Sequence, residues 1–399
     1  MSETRGARVA AITAAAIGVG AGIVSGVVSS ELARIAVRVE TYAERTVRVL
    51  RVIPGAKTRV WIAGENVAAP GPQSLLFEPD TAAVRSRADR EPAGHVKLGP
   101  VIERNGAAVL REVERVDRGT LTAGAVGRTV GWWYSEPTEL GYRVEHTTFE
   151  SELGPMDAWI IYPRRPRGQR WAVHVHGRGA RPAEVLRGIA PFARAGITSV
   201  VIAYRNDEGQ PQGHAGRYGL GISESRDVDA AIRMALDLGA ARVTLVGWSM
   251  GGTASLMSAT QGAHRFHIDG LVLDSPGVDW PDLLRAHARM KHVPEWIADW
   301  GMRMLQSRFV KSGEPDGIDF GVLTAEQFAE SLSVPTLILA SPDDTYVPWY
   351  GSRLLAELRP DLVKLVAMPG AGHVRLWNMD PERWESSVLE FVSGLNQQR

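Results

Sequence analysis

The feature that most constrains the fold of this 399-residue chain is a series of short apolar runs without alternating polar residues. The runs are Trp171–His176, Thr198–Ala203, Arg242–Val246, Ile268–Leu273, Thr336–Ala340 and Leu362–Ala367. Uninterrupted runs of this length are typical of strands that are buried on both faces of a parallel sheet. Helical stretches separate them, and a hairpin of Val144–Phe149 and Ala158–Tyr162 is predicted to precede them. The alternation predicts an α/β fold with a doubly wound, mostly parallel sheet.

One serine lies at the boundary between a predicted strand and a predicted helix. The segment Gly247-Trp248-Ser249-Met250-Gly251-Gly252 follows the run Arg242–Val246 and opens a helix of small residues. A serine at such a turn is lifted out of the sheet, and the glycines on either side let neighbouring backbone approach closely. The G-x-S-x-G pattern also occurs in ordinary glycine-rich loops, but its position here favours a catalytic nucleophile. Ser249 is therefore the predicted nucleophile.

A serine hydroxyl becomes a nucleophile only beside a base that is itself held in orientation. Asp343 and Asp344 follow the run Thr336–Ala340, and His373 follows the run Leu362–Ala367. Each of them comes just past the carboxyl end of a strand, where open α/β sheets build their sites. Of the ten histidines in the chain, His373 has this context and is the predicted base.

A fourth element is the segment His176-Gly177-Arg178-Gly179 at the end of another predicted strand. It resembles a loop that donates a backbone N–H to the oxyanion formed during acyl transfer. The predicted donors are the N–H groups of Arg178 and of Met250, which directly follows the nucleophile. Metal binding is the alternative role for His176, but no second ligand has suitable spacing. No metal and no cofactor are predicted.

These segments together resemble the α/β-hydrolase superfamily over roughly residues 142–399. The motifs are H-G-R-G, Y-R-N-D, G-W-S-M-G-G, D-S-P, D-D-T-Y-V-P and G-A-G-H-V. The resemblance is to a bacterial branch of esterases and prolyl-oligopeptidase-like (dienelactone-hydrolase-like) proteins. It implies a serine hydrolase with the chain order Ser, Asp, His. It also implies an acid four residues before the proline of D-x-x-V-P, which selects Asp344, although some members place the acid where Asp274 stands.

Changes in composition and in strand pattern along the chain predict three parts. Residues 1–56 hold an uncharged apolar segment and an arginine-rich connector, residues 57–141 a small β-rich accessory region, and residues 142–399 the catalytic domain. Residues 275–333 interrupt the strand pattern and are predicted to form a helical cap over the site. Its large apolar residues either pack the cap on the core or line an apolar acyl pocket. They include Trp280, Trp296, Trp300, Met290, Met302 and Met304.

The N-terminal segment Val9–Ser30 contains no charged residue. As a helix it would span about 33 Å, which exceeds the thickness of a bilayer core. It predicts a membrane-associated protein held by residues 9–30, with a cleaved secretion signal or a cytoplasmic protein as alternatives. Because the catalytic pattern starts only near residue 142, anchor and catalyst are expected to be separable.

Charge and composition exclude several functions. The 45 basic and 45 acidic residues cancel, so the chain lacks the positive field of a nucleic-acid-binding protein. The absence of cysteine excludes thiol catalysis and disulfides. The predicted function is hydrolysis of a carboxylic ester or thioester, a small-molecule substrate with an apolar acyl group, through an acyl-enzyme. The alternatives are a prolyl-oligopeptidase-like peptidase, an acyltransferase, and a non-catalytic, membrane-tethered binding module.

Overall fold

The computed structural model describes residues 25–39, 45–78 and 93–395. Its strands form two separate sheets, a small closed barrel near the N-terminus and a larger sheet that carries the catalytic motifs.

The barrel contains the first six strands, and their order around it is β1-β2-β5-β4-β3-β6. The strands are β1 (Val47–Ile53), β2 (Arg59–Gly64), β3 (Gln73–Glu78), β4 (Gly94–Asn105), β5 (Ala108–Arg118) and β6 (Val126–Val130). Alternate side chains of β1 and β2, such as Val47 and Val49 or Val60 and Ile62, are buried in the barrel interior. Closure pairs every strand on both edges, so the barrel leaves no open sheet edge. It begins at Val47, before the predicted boundary at residue 57.

The second sheet has eight strands in the order β14-β13-β12-β11-β9-β10-β8-β7. They are β7 (Arg143–Ser151), β8 (Gly154–Tyr162), β9 (Arg170–Val175), β10 (Thr198–Ile202), β11 (Arg242–Trp248), β12 (Ile268–Asp274), β13 (Thr336–Ala340) and β14 (Val363–Ala367). The hairpin β7–β8 is antiparallel, and the pairs from β10 to β14 are parallel. The predicted strands therefore match the observed ones to within a few residues.

Helices cover both faces of this sheet. They are α1 (residues 25–37), α2 (Ile189–Ala195), α3 (Ile222–Asp237), α4 (Met250–Gln261), α5 (Trp280–Met290), α6 (Glu295–Gln306), α7 (Ala325–Ser331), α8 (Tyr350–Leu358), α9 (Leu376–Met379) and α10 (Pro381–Gly394). Short 3₁₀ turns lie at Pro137–Leu140, Pro182–Gly188, His214–Gly216, Arg265–His267 and Phe320–Val322. Neighbouring strand residues face opposite layers, since Leu245 packs with α3 and α4 whereas Val246 packs with α2 and α10. The doubly wound α/β-hydrolase fold predicted from the sequence is confirmed.

The segment predicted to be a cap contains α5, α6 and α7, which lie between β12 and β13 in the chain. Helix α1 packs against α6 within the same apolar core. Ala33 and Val37 of α1 are buried there with Met302 and Leu305 of α6. The two helices approach closely because α6 has a glycine at the contact, where a Cβ on Gly301 would lie 3.0 Å from the carbonyl oxygen of Ser29.

This packing corrects the prediction of a membrane localisation through residues 9–30. Residues 9–24 lie outside the described residues, and residues 25–30 belong to α1, which packs on the catalytic domain. Over residues 25–39, 45–78 and 93–395, no helix has the length and apolar character that a bilayer crossing requires. Over residues 25–30 the sequence misled because an uncharged segment suits a helix that packs on protein as well as one in lipid.

Candidate active site

Ser249 lies on the turn between β11 and α4 with φ 53° and ψ −119°. A positive φ at a residue other than glycine is strained, and the tight packing around the turn maintains it. A Cβ on Gly247 would lie 2.5 Å from the carbonyl oxygen of Gly251, and one on Gly251 would lie 2.4 Å from that of His176. The two glycines of the motif are therefore required by close backbone approach.

The described side chains bring Ser249, His373 and Asp344 into one hydrogen-bonded series. The Oγ of Ser249 lies 2.9 Å from Nε2 of His373. The Nδ1 of the same ring lies 2.7 Å from Oδ2 of Asp344. The other oxygen of Asp344 accepts hydrogen bonds from the backbone N–H groups of Tyr346, at 2.8 Å, and Val347, at 2.9 Å. These two bonds fix the carboxylate, so it orients the imidazole with Nε2 facing the serine hydroxyl.

The two competing aspartates contact other groups. Asp343 accepts a hydrogen bond from the backbone N–H of Gly370 at 2.7 Å. Asp274 accepts one from the indole N–H of Trp384 at 2.7 Å and one from the hydroxyl of Ser275 at 2.9 Å. Burial raises the pKa of Asp274 to about 6. Neither carboxyl group faces Nδ1 of His373, which is bonded to Asp344.

The two predicted oxyanion donors lie beside the serine. Met250 is the first residue of α4, so its backbone N–H has no acceptor within that helix. Arg178, Met250 and Ser249 line the same cavity. The neighbouring N–H of Gly177 is already bonded to a carboxylate oxygen of Glu184 at 2.9 Å.

Glu184 joins the barrel to this loop, a role that was not predicted from the sequence. Its second carboxylate oxygen accepts a hydrogen bond at 3.2 Å from the indole N–H of Trp132, which follows β6. Glu184 is buried, and so are both of its partners. No local motif marks this residue, since its role depends on partners that are far away in the chain.

The barrel also contacts the segment that follows His373. Asn378 donates from its amide to the carbonyl oxygens of Pro72 and Gly131, each at 2.8 Å. Arg375 donates to the carbonyl oxygen of Thr129 at 2.9 Å and to the side chain of Gln73. The loops that carry the predicted base and one predicted oxyanion donor are thus both attached to the barrel.

Ser249 opens into a cavity of about 540 Å³, whose walls come from α1, α5 and α6. Of the cap residues singled out in the sequence, Trp280, Met290 and Met302 line it. Trp296 and Trp300 are instead 49% and 40% exposed and contact each other.

The contribution of α1 to the cavity was not predicted. Its residues Leu32, Ala33, Ile35 and Ala36 line the wall beside Ser249. A second cavity, of about 560 Å³ and lined by residues including Trp132 and Asp207, does not include the serine.

His176 does not have the surroundings of a metal ligand. Its Nδ1 lies 2.9 Å from the carbonyl oxygen of Gly177 and its Nε2 lies 2.8 Å from a carboxylate oxygen of Asp207. Burial alone would lower the pKa of the His176 ring. The charge and the hydrogen bond of Asp207 have the larger effect, so the net result is a raised pKa. Both nitrogens donate in the charged form, which leaves no lone pair for a metal. The described residues contain no cluster of three acidic, histidine or cysteine residues that could hold a metal ion.

The fold and this arrangement define a hydrolase with an elbow-type serine. The model of the alpha/beta hydrolase family matches residues 172–386, which is more than half of the chain. The chain belongs to the α/β-hydrolase family. A second family model, a domain of unknown function, matches residues 48–130 and coincides with the barrel.

Individual relatives are more distant. A protein of Pseudomonas savastanoi pv. phaseolicola described as a carbamate hydrolase, RutD, is 27% identical over 118 residues. That match covers 28% of this chain and 45% of the relative, so the chain spans less than half of the relative's length. Two crystal structures of the esterase Pf2001 from Pyrococcus furiosus have TM-scores of 0.50 and 0.51 at 20% identity. They cover 65% and 66% of this chain and 95% and 94% of the esterase chain, and they share its fold.

Proposed function

We propose that this protein is a serine esterase that cleaves small-molecule carboxylic esters through an acyl-enzyme, with the apolar part of the substrate in the cavity beside Ser249. In this proposal Ser249 is the nucleophile, His373 the general base and Asp344 the acid that orients it. The observation that carries the proposal is the series of hydrogen bonds from Ser249 through His373 to Asp344, at the wall of a largely apolar cavity.

The first half-reaction forms the acyl-enzyme. Oγ of Ser249 attacks the ester carbonyl carbon while Nε2 of His373 takes the hydroxyl proton. Asp344 stays ionised and stabilises the imidazolium through Nδ1. When the tetrahedral intermediate collapses, the C–O bond to the alcohol breaks and Nε2 returns the proton to the leaving alkoxide. A thioester would react in the same way, with a thiol as the leaving group.

The negative charge on the former carbonyl oxygen needs donors that are already in place. The backbone N–H groups of Met250 and Arg178 are assigned this role, and one donor of this kind contributes about 3 kcal/mol to transition-state stabilisation. The attachment of Gly177 to Glu184 supports the assignment, because it holds the loop before Arg178 against the turn of Ser249.

The second half-reaction returns the enzyme to its starting state. Water attacks the acyl carbon while Nε2 of His373 takes one of its protons. The intermediate then expels Oγ of Ser249, which regains the proton, and the carboxylic acid leaves. An acyltransferase would use the same residues with an alcohol in place of water, so the acceptor distinguishes the two activities.

The cavity and the barrel favour esters over peptides. The wall consists mainly of aliphatic and aromatic side chains, and the described N-terminal domain is a six-stranded barrel, whereas a propeller has four or more four-stranded blades. The match to a carbamate hydrolase supports including a carbamate among the substrates tested.

The test is a comparison of p-nitrophenyl esters of increasing acyl length with aminoacyl p-nitroanilides and a p-nitrophenyl carbamate, with Ser249→Ala as the background control. The expected result is Ser249-dependent ester hydrolysis with an initial burst of about one p-nitrophenol per active site. Cleavage of anilides without cleavage of esters would assign a peptidase. Formation of a new ester after addition of an alcohol would assign an acyltransferase, and no turnover would leave a binding module.

A further inference from the structure

The cavity that contains Ser249 has a mainly apolar lining that also includes basic residues. No acidic residue lines it among those described. Arg38 comes from the end of α1, Arg178 from the loop after β9, and His287 and Lys291 from α5 or its C-terminal end. The whole chain has equal numbers of acidic and basic residues, so this local excess of positive charge does not reflect composition.

The most buried lining residues are apolar, whereas two of the basic ones are exposed beside the exposed side chains of Met290 and Tyr346. Leu283, Met302 and Leu305 are buried, with exposed fractions of 6%, 6% and 0%. Arg38 and Lys291 are exposed. The cavity therefore has an apolar interior and a positively charged rim, defined by Arg38 and Lys291.

Both rim residues lack an acidic partner in the described part of the chain. Neither side chain has an ion pair or a side-chain hydrogen bond there. Other basic residues of the same two helices are paired, since Arg34 contacts Glu31 and Arg289 contacts Glu295. The acidic residues of α1 and α5 therefore leave the rim uncompensated.

The effect of these positive charges is seen in the pKa of His287. Its Nε2 donates to the carbonyl oxygen of Tyr346 at 2.6 Å. Burial lowers the pKa of His287, the hydrogen bond to Tyr346 opposes this, and the charges of Lys291, Arg178 and His373 lower the pKa further. Positive charge thus acts from several sides on His287, which lines the cavity with Lys291 and Arg178.

We propose that the substrate is an anionic amphiphile, an ester whose apolar part fills the cavity and whose negatively charged group binds Lys291 and Arg38 at the rim. This inference rests on the proposed esterase function and deepens it. The ammonium group of Lys291 supplies a point charge, and the guanidinium of Arg38 can bind a carboxylate through two parallel hydrogen bonds.

The test uses two matched ester pairs, which distinguish a charge on the alcohol side from one on the acyl side. The first pair is 4-(octanoyloxy)benzoate and its methyl ester. The second is monophenyl suberate and methyl phenyl suberate. For each pair, the ratio of kcat/KM for the anionic ester to that for the neutral ester is measured in wild type, Lys291→Gln and Arg38→Gln. Comparing ratios between variants cancels the different intrinsic reactivity of the esters.

We expect the ratio for at least one pair to fall about two- to fivefold in each variant, the range for solvent-exposed ion pairs. In wild type the same ratio should fall between 10 mM and 500 mM NaCl, because salt screens exposed charges. Lys311→Gln is the matched control, since Lys311 is exposed and does not line the cavity. Unchanged ratios for both pairs in Lys291→Gln and Arg38→Gln would overturn the inference while leaving the esterase proposal intact. Failure to hydrolyse all four esters, together with the p-nitrophenyl esters, would overturn the esterase proposal itself.

Discussion

The guanidinium of Arg178 donates a hydrogen bond to the carbonyl oxygen of Ile35 at 2.8 Å, and this bond joins the loop beside Ser249 to the C-terminal end of α1. A second bond runs from the same group to the carbonyl oxygen of Arg38 at 3.2 Å. A cation at this end of a helix stabilises the unpaired carbonyl groups there. Helix α1 is thus part of the cavity wall, so we expect the catalytic domain to depend on it, in place of the separability expected from the sequence.

A chain that starts at Arg45, and therefore lacks α1, should lose both stability and activity toward longer acyl esters. Removal of α1 would expose Met302 and Leu305 of α6 to water and open the cavity. Loss of burial on this scale costs a few kcal/mol in the free energy of unfolding. The measurements are Tm and kcat/KM for p-nitrophenyl butyrate and octanoate.

Two adjacent substitutions in the full chain provide a matched comparison. Ala33→Glu places a carboxylate against α6 and should reproduce the effect of the truncation, whereas Arg34→Gln alters an exposed position and should leave Tm within about 1 °C. A fully stable and active protein that lacks α1 would show that this helix is dispensable.

Asp344→Asn should lower kcat by about 10⁴, because an amide at this position cannot hold the imidazole in the tautomer that accepts the serine proton. Asp343→Asn should have an effect of less than tenfold, since the described hydrogen bond of its carboxylate is to the loop backbone at Gly370 and not to His373. Steady-state kinetics on one p-nitrophenyl ester, with circular dichroism to verify folding, measure the difference. The assignment of the acid fails if Asp274→Asn proves more damaging than Asp344→Asn.

Asp274 should make stability depend on pH. Burial raises its pKa to about 6 in the folded protein, against about 3.9 in an unfolded chain. The folded state therefore binds this proton more tightly, so the stabilisation is complete below pH 4 and is lost as the pH rises through 6. Between pH 4 and pH 7 the stability of Asp274→Asn should improve relative to wild type by up to about 3 kcal/mol. Urea unfolding at four pH values measures this, and a constant difference would contradict the raised pKa.

The sequence predicted the parts of the molecule whose signal is local. Contiguous residues are enough to predict the turn at Ser249 and the buried strands that precede Asp344 and His373. In the structure, hydrogen bonds join the side chains of Ser249, His373 and Asp344. The role of Glu184 was not predictable in this way, because its partners Gly177 and Trp132 meet it only in the folded protein.

Helix α1 was misread for a related reason. The uncharged segment ends at Ser30, so Ala33 and Val37 fall in the predicted arginine-rich connector, and nothing in the local pattern indicates that another helix covers them. The small residue that admits α1, Gly301, lies far away in the sequence within α6. The contact between α1 and α6 therefore cannot be predicted from the sequence of either helix alone.

Identification of the residue that reacts with a fluorophosphonate probe tests directly whether Ser249 is the nucleophile. The probe phosphonylates a serine only where a base activates it and donors stabilise the resulting oxyanion. The measurement is the mass of the intact protein, followed by peptide mapping, in wild type, Ser249→Ala and Ser255→Ala, the last replacing a buried serine of α4. We expect one adduct on Ser249 in wild type and in Ser255→Ala, and none in Ser249→Ala. Full labelling of a folded Ser249→Ala protein, or an adduct mapped to another serine, would contradict this assignment.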